Sequence, residues 1–212
     1  MQRKGSIFQA AVFFAHLALS CAFASAQVSL EEGHESETNK RQPPDKILAA
    51  IGVKTGMVIG EVGAGHGRYT VHLASKVGPS GKVYAEDIDR DSVDHLRRRC
   101  KMAGFANVEV ILGETDNPLF PKGEIDLVFM ILTYHHLAHP VALLKSLIPS
   151  LKPGATVVVV DPEQSKDPGS RMSEYTSEAE ISREAAAAGF ELIRVETFLP
   201  KDNIYILRVK PS

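Results

Sequence analysis

The sequence predicts an α/β fold in which a mostly parallel sheet carries helices on both faces. Three observations predict it. Short apolar runs alternate with amphipathic stretches from residue 57 to residue 190, the pattern of repeated β-α units. A glycine turn, Gly63-Ala64-Gly65-His66-Gly67, directly follows one apolar run, and Asp87 stands at the end of the next. The last two runs, Phe190–Phe198 and Ile204–Val209, are joined so closely that they must pair antiparallel, because a parallel pair needs a long crossover.

The elements follow in order. Asp45 caps a short helix over Lys46–Ile51 that stops at Gly52. Val58–Val62 is strand one and Arg68–Val77 a helix, with Gly78-Pro79-Ser80-Gly81 as the turn into strand two, Lys82–Ile88. Arg90–Ala103 is a helix stopped by Gly104, and Val108–Leu112 is strand three. Strand four lies within Glu124–Leu132, a nearly unbroken apolar run of the kind buried on both faces. Pro140–Leu151 reads as an amphipathic helix closed by Lys152-Pro153-Gly154, and Thr156–Val160 as strand five, ending at Asp161. Residues 162–176 are a polar loop. Ser177 and Glu180 then form a capping box for a helix that ends near Gly189.

The N-terminus has a pattern of its own. Arg3 and Lys4 precede an apolar stretch, Ile7–Phe23, and Ala24-Ser25-Ala26 forms a small-residue cleavage signature. Residues 1–26 therefore read as a signal peptide, with export to the periplasm or the medium expected; left uncleaved, the segment would be a membrane anchor. Residues 27–44 are polar and aperiodic and read as a flexible arm, so the folded domain spans 45–212. Cleavage would leave 22 basic and 26 acidic residues, a formal charge of −4. That charge gives no electrostatic footprint for nucleic acid, and no stable membrane insertion is expected after cleavage. Cys100 would be the one remaining thiol, which excludes an internal disulfide.

A strand, a glycine turn, a helix and a strand-end carboxylate make half of a nucleotide-binding unit. A hydride-transfer loop would read G-x-G-x-x-G, yet Arg68 stands at the sixth position. The G-x-G-x-G spacing suits a ligand without a pyrophosphate. The ordered stretches EVGAGHG, AEDID, LGETD, LVFMILTYHHL and LKPGATVVVVD resemble the motifs of class I S-adenosylmethionine-dependent methyltransferases. The likeness spans about residues 42–209 and is nearest to the small-molecule type with Tyr-His-His after strand four. It implies a Rossmann-like sheet of seven strands, mostly parallel with an antiparallel C-terminal strand. It also implies S-adenosylmethionine as cofactor, over the carboxyl ends of strands one and two.

The resemblance carries roles onto particular residues. Glu61 and Gly63 face the methionine end, Gly65 and Gly67 allow close backbone approach, and Asp87 accepts both ribose hydroxyls. Glu86 and Asp89 are rivals for that last role. Period-two alternation sets Glu86 on the opposite face, and Asp89 lies in the turn beyond the strand. In Gly113-Glu114-Thr115-Asp116, Glu114 takes the acidic position that reads the adenine edge, Thr115 follows it, and Asp116 is second choice.

Methyl transfer is an in-line displacement in which the protein mainly aligns the acceptor. An acceptor hydroxyl or acidic carbon also needs a base, and histidine titrates in the right range. His135 and His136 are the candidates, with Tyr134 beside them. No metal is expected: His135, His136 and His139 lack the glutamate of the HExxH pattern. The stretch after strand four lacks the Pro-Pro-aromatic motif of amino methylation, which leaves a small organic or lipid-like acceptor. Two other readings stand beside this one: a non-catalytic nucleoside- or S-adenosylmethionine-binding protein of the same fold, and an NAD-dependent oxidoreductase.

Overall fold

The computed structural model describes residues 35–166 and 175–211. Two compact units divide the chain, one ending at Arg41 and one running over Gln42–Ser212. Of the first unit the described residues, 35–41, are helical where the sequence suggests a polar arm. The proposed signal peptide lies outside the described residues.

The second unit is a seven-stranded sheet flanked by helices. Its elements are α1 (Pro44–Ala50), β1 (Val58–Val62), α2 (Thr70–Val77), β2 (Lys82–Asp87), α3 (Arg90–Met102), β3 (Val108–Leu112), β4 (Ile125–Ile131), α4 (Pro140–Leu147), β5 (Leu151–Pro162), α5 (Glu178–Ala188), β6 (Phe190–Glu196) and β7 (Asp202–Val209). The strand order is β3-β2-β1-β4-β5-β7-β6. The pairs β1/β2, β2/β3, β1/β4 and β4/β5 are parallel, while β7 runs antiparallel to both β5 and β6. The chain's direction of travel across the sheet reverses between β1 and β4. Ligands of open α/β sheets bind at such a switch point, beyond the carboxyl ends of the strands.

Period-two alternation divides the core into two layers. Ile59, Ala85, Phe129 and Val158 face α1, α2 and α3, where Leu48, Leu73 and Leu96 are buried. Val128, Met130, Val157 and Val159 face the other way, onto Leu144 of α4 and Ile181 of α5.

Local chemistry sets the element ends and moves three of them from their expected places. The N-cap of α1 is Pro43, and Asp45 sits in its first turn, where it still complements the helix dipole. Helix α4 stops at Leu147, and a 3-10 turn over Ile148–Ser150 follows, because Pro149 has no N–H with which to extend an α-helix. Lys152-Pro153-Gly154 does not close that helix but lies inside β5. Leu151 pairs with Ile125 and Thr156 with Leu127, so residues 152–155 bulge opposite the single residue Asp126. Asp126 fastens the bulge: it accepts from Lys152 Nζ at 2.8 Å and from the Val58 N–H at 2.8 Å. Ser177 caps α5 as expected by accepting from the Glu180 N–H, the first half of the capping box, and Gly189 is left-handed at φ 90°.

Candidate active site

The carboxyl ends of β1, β2, β3 and β4 meet around a cavity of about 280 Å³. Val62 and Gly63 line it from β1, Glu86, Asp87 and Ile88 from β2, and Glu114 and Thr115 from the turn after β3. Leu132, Thr133, His136 and Leu137 follow β4, and Leu143 comes from α4. A larger groove of about 520 Å³ lies near the amino ends of β2 and β3, by Gly78 and Gly104, and Lys82 is its one titratable residue. Its position at the wrong end of the sheet and its lack of chemistry leave the smaller cavity as the candidate site.

Each glycine of the loop has its own reason. A Cβ on Gly63 would stand 2.4 Å from Thr133 Cγ2, and one on Gly67 would stand 2.3 Å from Leu96 Cδ1. Packing against α3 is therefore one reason for a glycine at position 67. Gly65, at φ 54°, meets nothing within 4 Å and is the glycine that opens onto space. The loop is tied to the end of β2: Asp87 Oδ2 accepts the Gly65 N–H at 2.7 Å, and Oδ1 accepts the Asp89 N–H at 2.9 Å. Each carboxylate oxygen keeps a further lone pair for a ligand. Asp89, the rival, caps α3 by accepting the Ser92 N–H at 2.8 Å.

The carboxyls differ sharply in setting. Glu61 does not line the cavity. It is 2% exposed and accepts from Thr70 Oγ1 at 2.6 Å. Burial pushes its pKa up to about 8, opposed by the Thr70 hydrogen bond and by the charge of Arg68. Glu86 does lie on the face opposite Asp87, as alternation requires, yet at the strand end that face also opens into the cavity. Burial, then the neighbouring charge of Asp87, pushes Glu86 up to about 8 as well. Asp116 turns away to His139, with both oxygens 3.0 Å from its Nδ1, which leaves Glu114 as the acidic side chain of that turn in the cavity.

The histidines after β4 divide their tasks. His136 lines the cavity. His135 lies behind it, with ring centroids 3.9 Å apart. Asp161, fully buried at the end of β5, accepts the His135 N–H at 2.9 Å, and its Oδ1 lies 3.1 Å from His135 Nδ1. Thr176 Oγ1 donates to the same carboxylate at 2.8 Å. A carboxylate beside Nδ1 holds the proton there and leaves Nε2 as the basic nitrogen. Tyr134, the third catalytic candidate, is not among the residues lining the cavity. Its hydroxyl donates to Glu184 Oε2 at 2.8 Å, and burial and that carboxylate raise its pKa beyond the usual phenol range. Leu132, at φ 54°, holds a left-handed conformation disfavoured for a branched side chain, and this bend delivers Thr133 against Gly63.

The structure thus brings Gly63, Asp87, Glu114, Thr115 and His136 together around one cavity, with Gly65 and His135 directly behind. Sequence reasoning missed Asp161, Ile88 and Leu132 and set Glu86 aside for the ribose hydroxyls. A carboxylate ending β5 beside two histidines ending β4 is a readable signal only once these strands are known to be neighbours.

A profile described as a methyltransferase domain matches residues 59–154. A solved S-adenosylmethionine-dependent methyltransferase of Aquifex aeolicus is 32% identical, with 77% of this chain and 88% of that one covered at a TM-score of 0.72. The chain belongs to the S-adenosylmethionine-dependent methyltransferases. A demethylmenaquinone methyltransferase of Lactococcus lactis is 29% identical over 55% of this chain and 46% of its own. A ubiquinone/menaquinone biosynthesis C-methyltransferase of Ectopseudomonas mendocina is 30% identical over 52% and 43%. The chain spans about half the length of these curated relatives. They overturn the expectation of export, since this methyltransferase keeps company with enzymes named for quinone biosynthesis. Among the described residues no helix is long and apolar enough to cross a membrane. The cavity suits the family's cofactor: a strand-end carboxylate with free lone pairs and a second acidic turn line a space of nucleoside dimensions, and the loop tied to that carboxylate carries an open glycine at position 65.

Proposed function

We propose that this chain transfers a methyl group from S-adenosylmethionine to a carbon of a small, lipid-like acceptor of the reduced-quinone kind. The observation that carries the proposal is the cavity at the switch point, which holds both kinds of wall. One wall carries Gly63, Asp87 and Glu114, and the other carries His136 with Leu132, Leu137 and Leu143. The names of the curated relatives support the acceptor class, and the apolar leucine wall suits it.

Asp87 would hold the ribose hydroxyls, each charge-assisted bond contributing roughly 1.5–3 kcal/mol. Glu114 and the backbone at Thr115 would take the adenine edge. Gly63 and Gly65 would let the methionine end cross the loop. An ammonium brought near Glu61 would favour its ionised form, so binding there releases a proton. When bound, S-adenosylmethionine supplies a methyl group on a positively charged sulfur, with a neutral thioether as leaving group. The chain's own task is to align the acceptor and to receive a proton. As the acceptor carbon bonds to the methyl group and the carbon–sulfur bond breaks, the carbon's hydrogen leaves as a proton to an imidazole. His136 is at the cavity wall for that role, and the Asp161–His135 pair stands behind it.

The test is label transfer from [methyl-³H]S-adenosylmethionine to chemically reduced demethylmenaquinone, extracted into organic solvent. Label in the extract, lost in Asp87→Ala, is expected. Label absent from the quinol but present on a polar acceptor would overturn the acceptor assignment.

A further inference from the structure

The proposed reaction leaves Glu86 without a task, although it lines the cavity and is only 2% exposed. A Cβ on Gly113 would stand 2.0 Å from Glu86 Oε1, so this carboxyl fills the room that a side chain at position 113 would need. It leans toward the end of β3, from which Glu114 and Thr115 reach the same cavity. On its other side the Gly63 backbone N–H faces it and works against the neutral form, by less than burial and the Asp87 charge favour it. Around it stand Asp87 on β2, Glu114 after β3 and His136 after β4; β1 and α4 add Val62, Gly63 and Leu143, none titratable. Burial and the Asp87 charge favour its neutral form, with a pKa pushed up to about 8. A neutral carboxyl carries a proton that needs an acceptor, and a buried donor left without one is costly. The ring nitrogens of a purine are acceptors of the required kind.

We propose that Glu86 reads the base of the bound nucleoside, donating a hydrogen bond as a neutral acid to a ring nitrogen of adenine. The proposal rests on the cofactor reading above and adds to it a donor beside the acidic side chain of Glu114. Once ionised, Glu86 has nothing to donate and sets an anion against a nitrogen lone pair. Affinity for adenosyl ligands is then full at neutral pH and falls as pH rises through the ionisation of Glu86.

The probe is 5′-methylthioadenosine, which keeps the adenosine and lacks the titrating amino acid. Calorimetry from pH 6.5 to 9.5 should show wild-type affinity falling roughly thirtyfold between pH 7 and 9.5. Glu86→Gln, whose amide still donates but cannot ionise, should hold a level affinity across the range. A flat wild-type profile, or an equal fall in both proteins, would overturn the proposal. Should the variant fail to fold, the wild type in two buffers of different ionisation enthalpy at pH 9 decides. Uptake of about one proton per ligand supports the proposal, and no uptake overturns it. S-adenosylhomocysteine at pH 6.5 separates the two levels. Its failure to bind would overturn the cofactor reading and this one together, whereas binding with a flat 5′-methylthioadenosine profile overturns the Glu86 role alone.

Discussion

Replacing Glu61 by Gln should stabilise the protein, and by more as the pH rises. Glu61 is 2% exposed, and burial lifts its pKa from an ordinary 4.5 to about 8 in the folded chain. A carboxyl with a raised folded pKa contributes its full stability below 4.5 and loses it as pH climbs toward 8, because the unfolded chain ionises freely and the folded one does not. Between pH 5 and pH 8 the wild type should lose about 3 kcal/mol through this group. Gln keeps an oxygen for the Thr70 hydroxyl, which now donates to Glu61 at 2.6 Å, and has no proton to lose. Glu86 titrates alike in both proteins and cancels in the comparison. For a chain of this size the gain corresponds to a Tm difference between variant and wild type that widens by roughly 10 °C from pH 5 to pH 8. Thermal unfolding followed by circular dichroism at the two pH values reads it. A Tm difference that stays constant with pH would refute the reasoning, as would a variant less stable at pH 8. The variant should also bind S-adenosylmethionine more weakly, a trade of stability against function.

Gly63→Ala places a methyl group against Thr133 at a φ of 71° and should cost about 2–3 kcal/mol, read as a lowered Tm. Thr133→Ala in the same chain should restore part of that loss, and no restoration would show that the strain lies in the backbone alone. Asp161→Asn removes the charge that orients His135 and should lower kcat by about a hundredfold with cofactor affinity unchanged, measured by label transfer and calorimetry. An unchanged kcat and pH profile would remove His135 from the reaction.

The order of elements and the glycine loop were legible because local chemistry decides them. Alternation gave the parallel strands, and the short link between the last two forced the antiparallel pair. Asp87 was readable because it ends an apolar run at the proper distance from the loop. What the sequence hid depends on neighbours. Gly67 packs against Leu96, 29 residues away in the chain, whose Cδ1 would stand 2.3 Å from a Cβ at position 67. Asp161 meets His135 only because β4 and β5 are adjacent. Alternation set Glu86 aside only for the ribose hydroxyls, and its place in the cavity was hidden because both faces of a strand border a cavity at the strand's end. The bulge at residues 152–155 escaped because Lys-Pro-Gly reads as a helix stop, and pairing opposite Asp126 is a tertiary fact.

The most direct measurement is titration calorimetry of S-adenosylhomocysteine and of NAD against the wild type and Asp87→Ala. The account predicts that the wild type binds S-adenosylhomocysteine and not NAD, and that Asp87→Ala weakens the binding at least about tenfold through the lost ribose hydrogen bonds. Binding of NAD alone, or an affinity for S-adenosylhomocysteine that Asp87→Ala leaves unchanged, would contradict it.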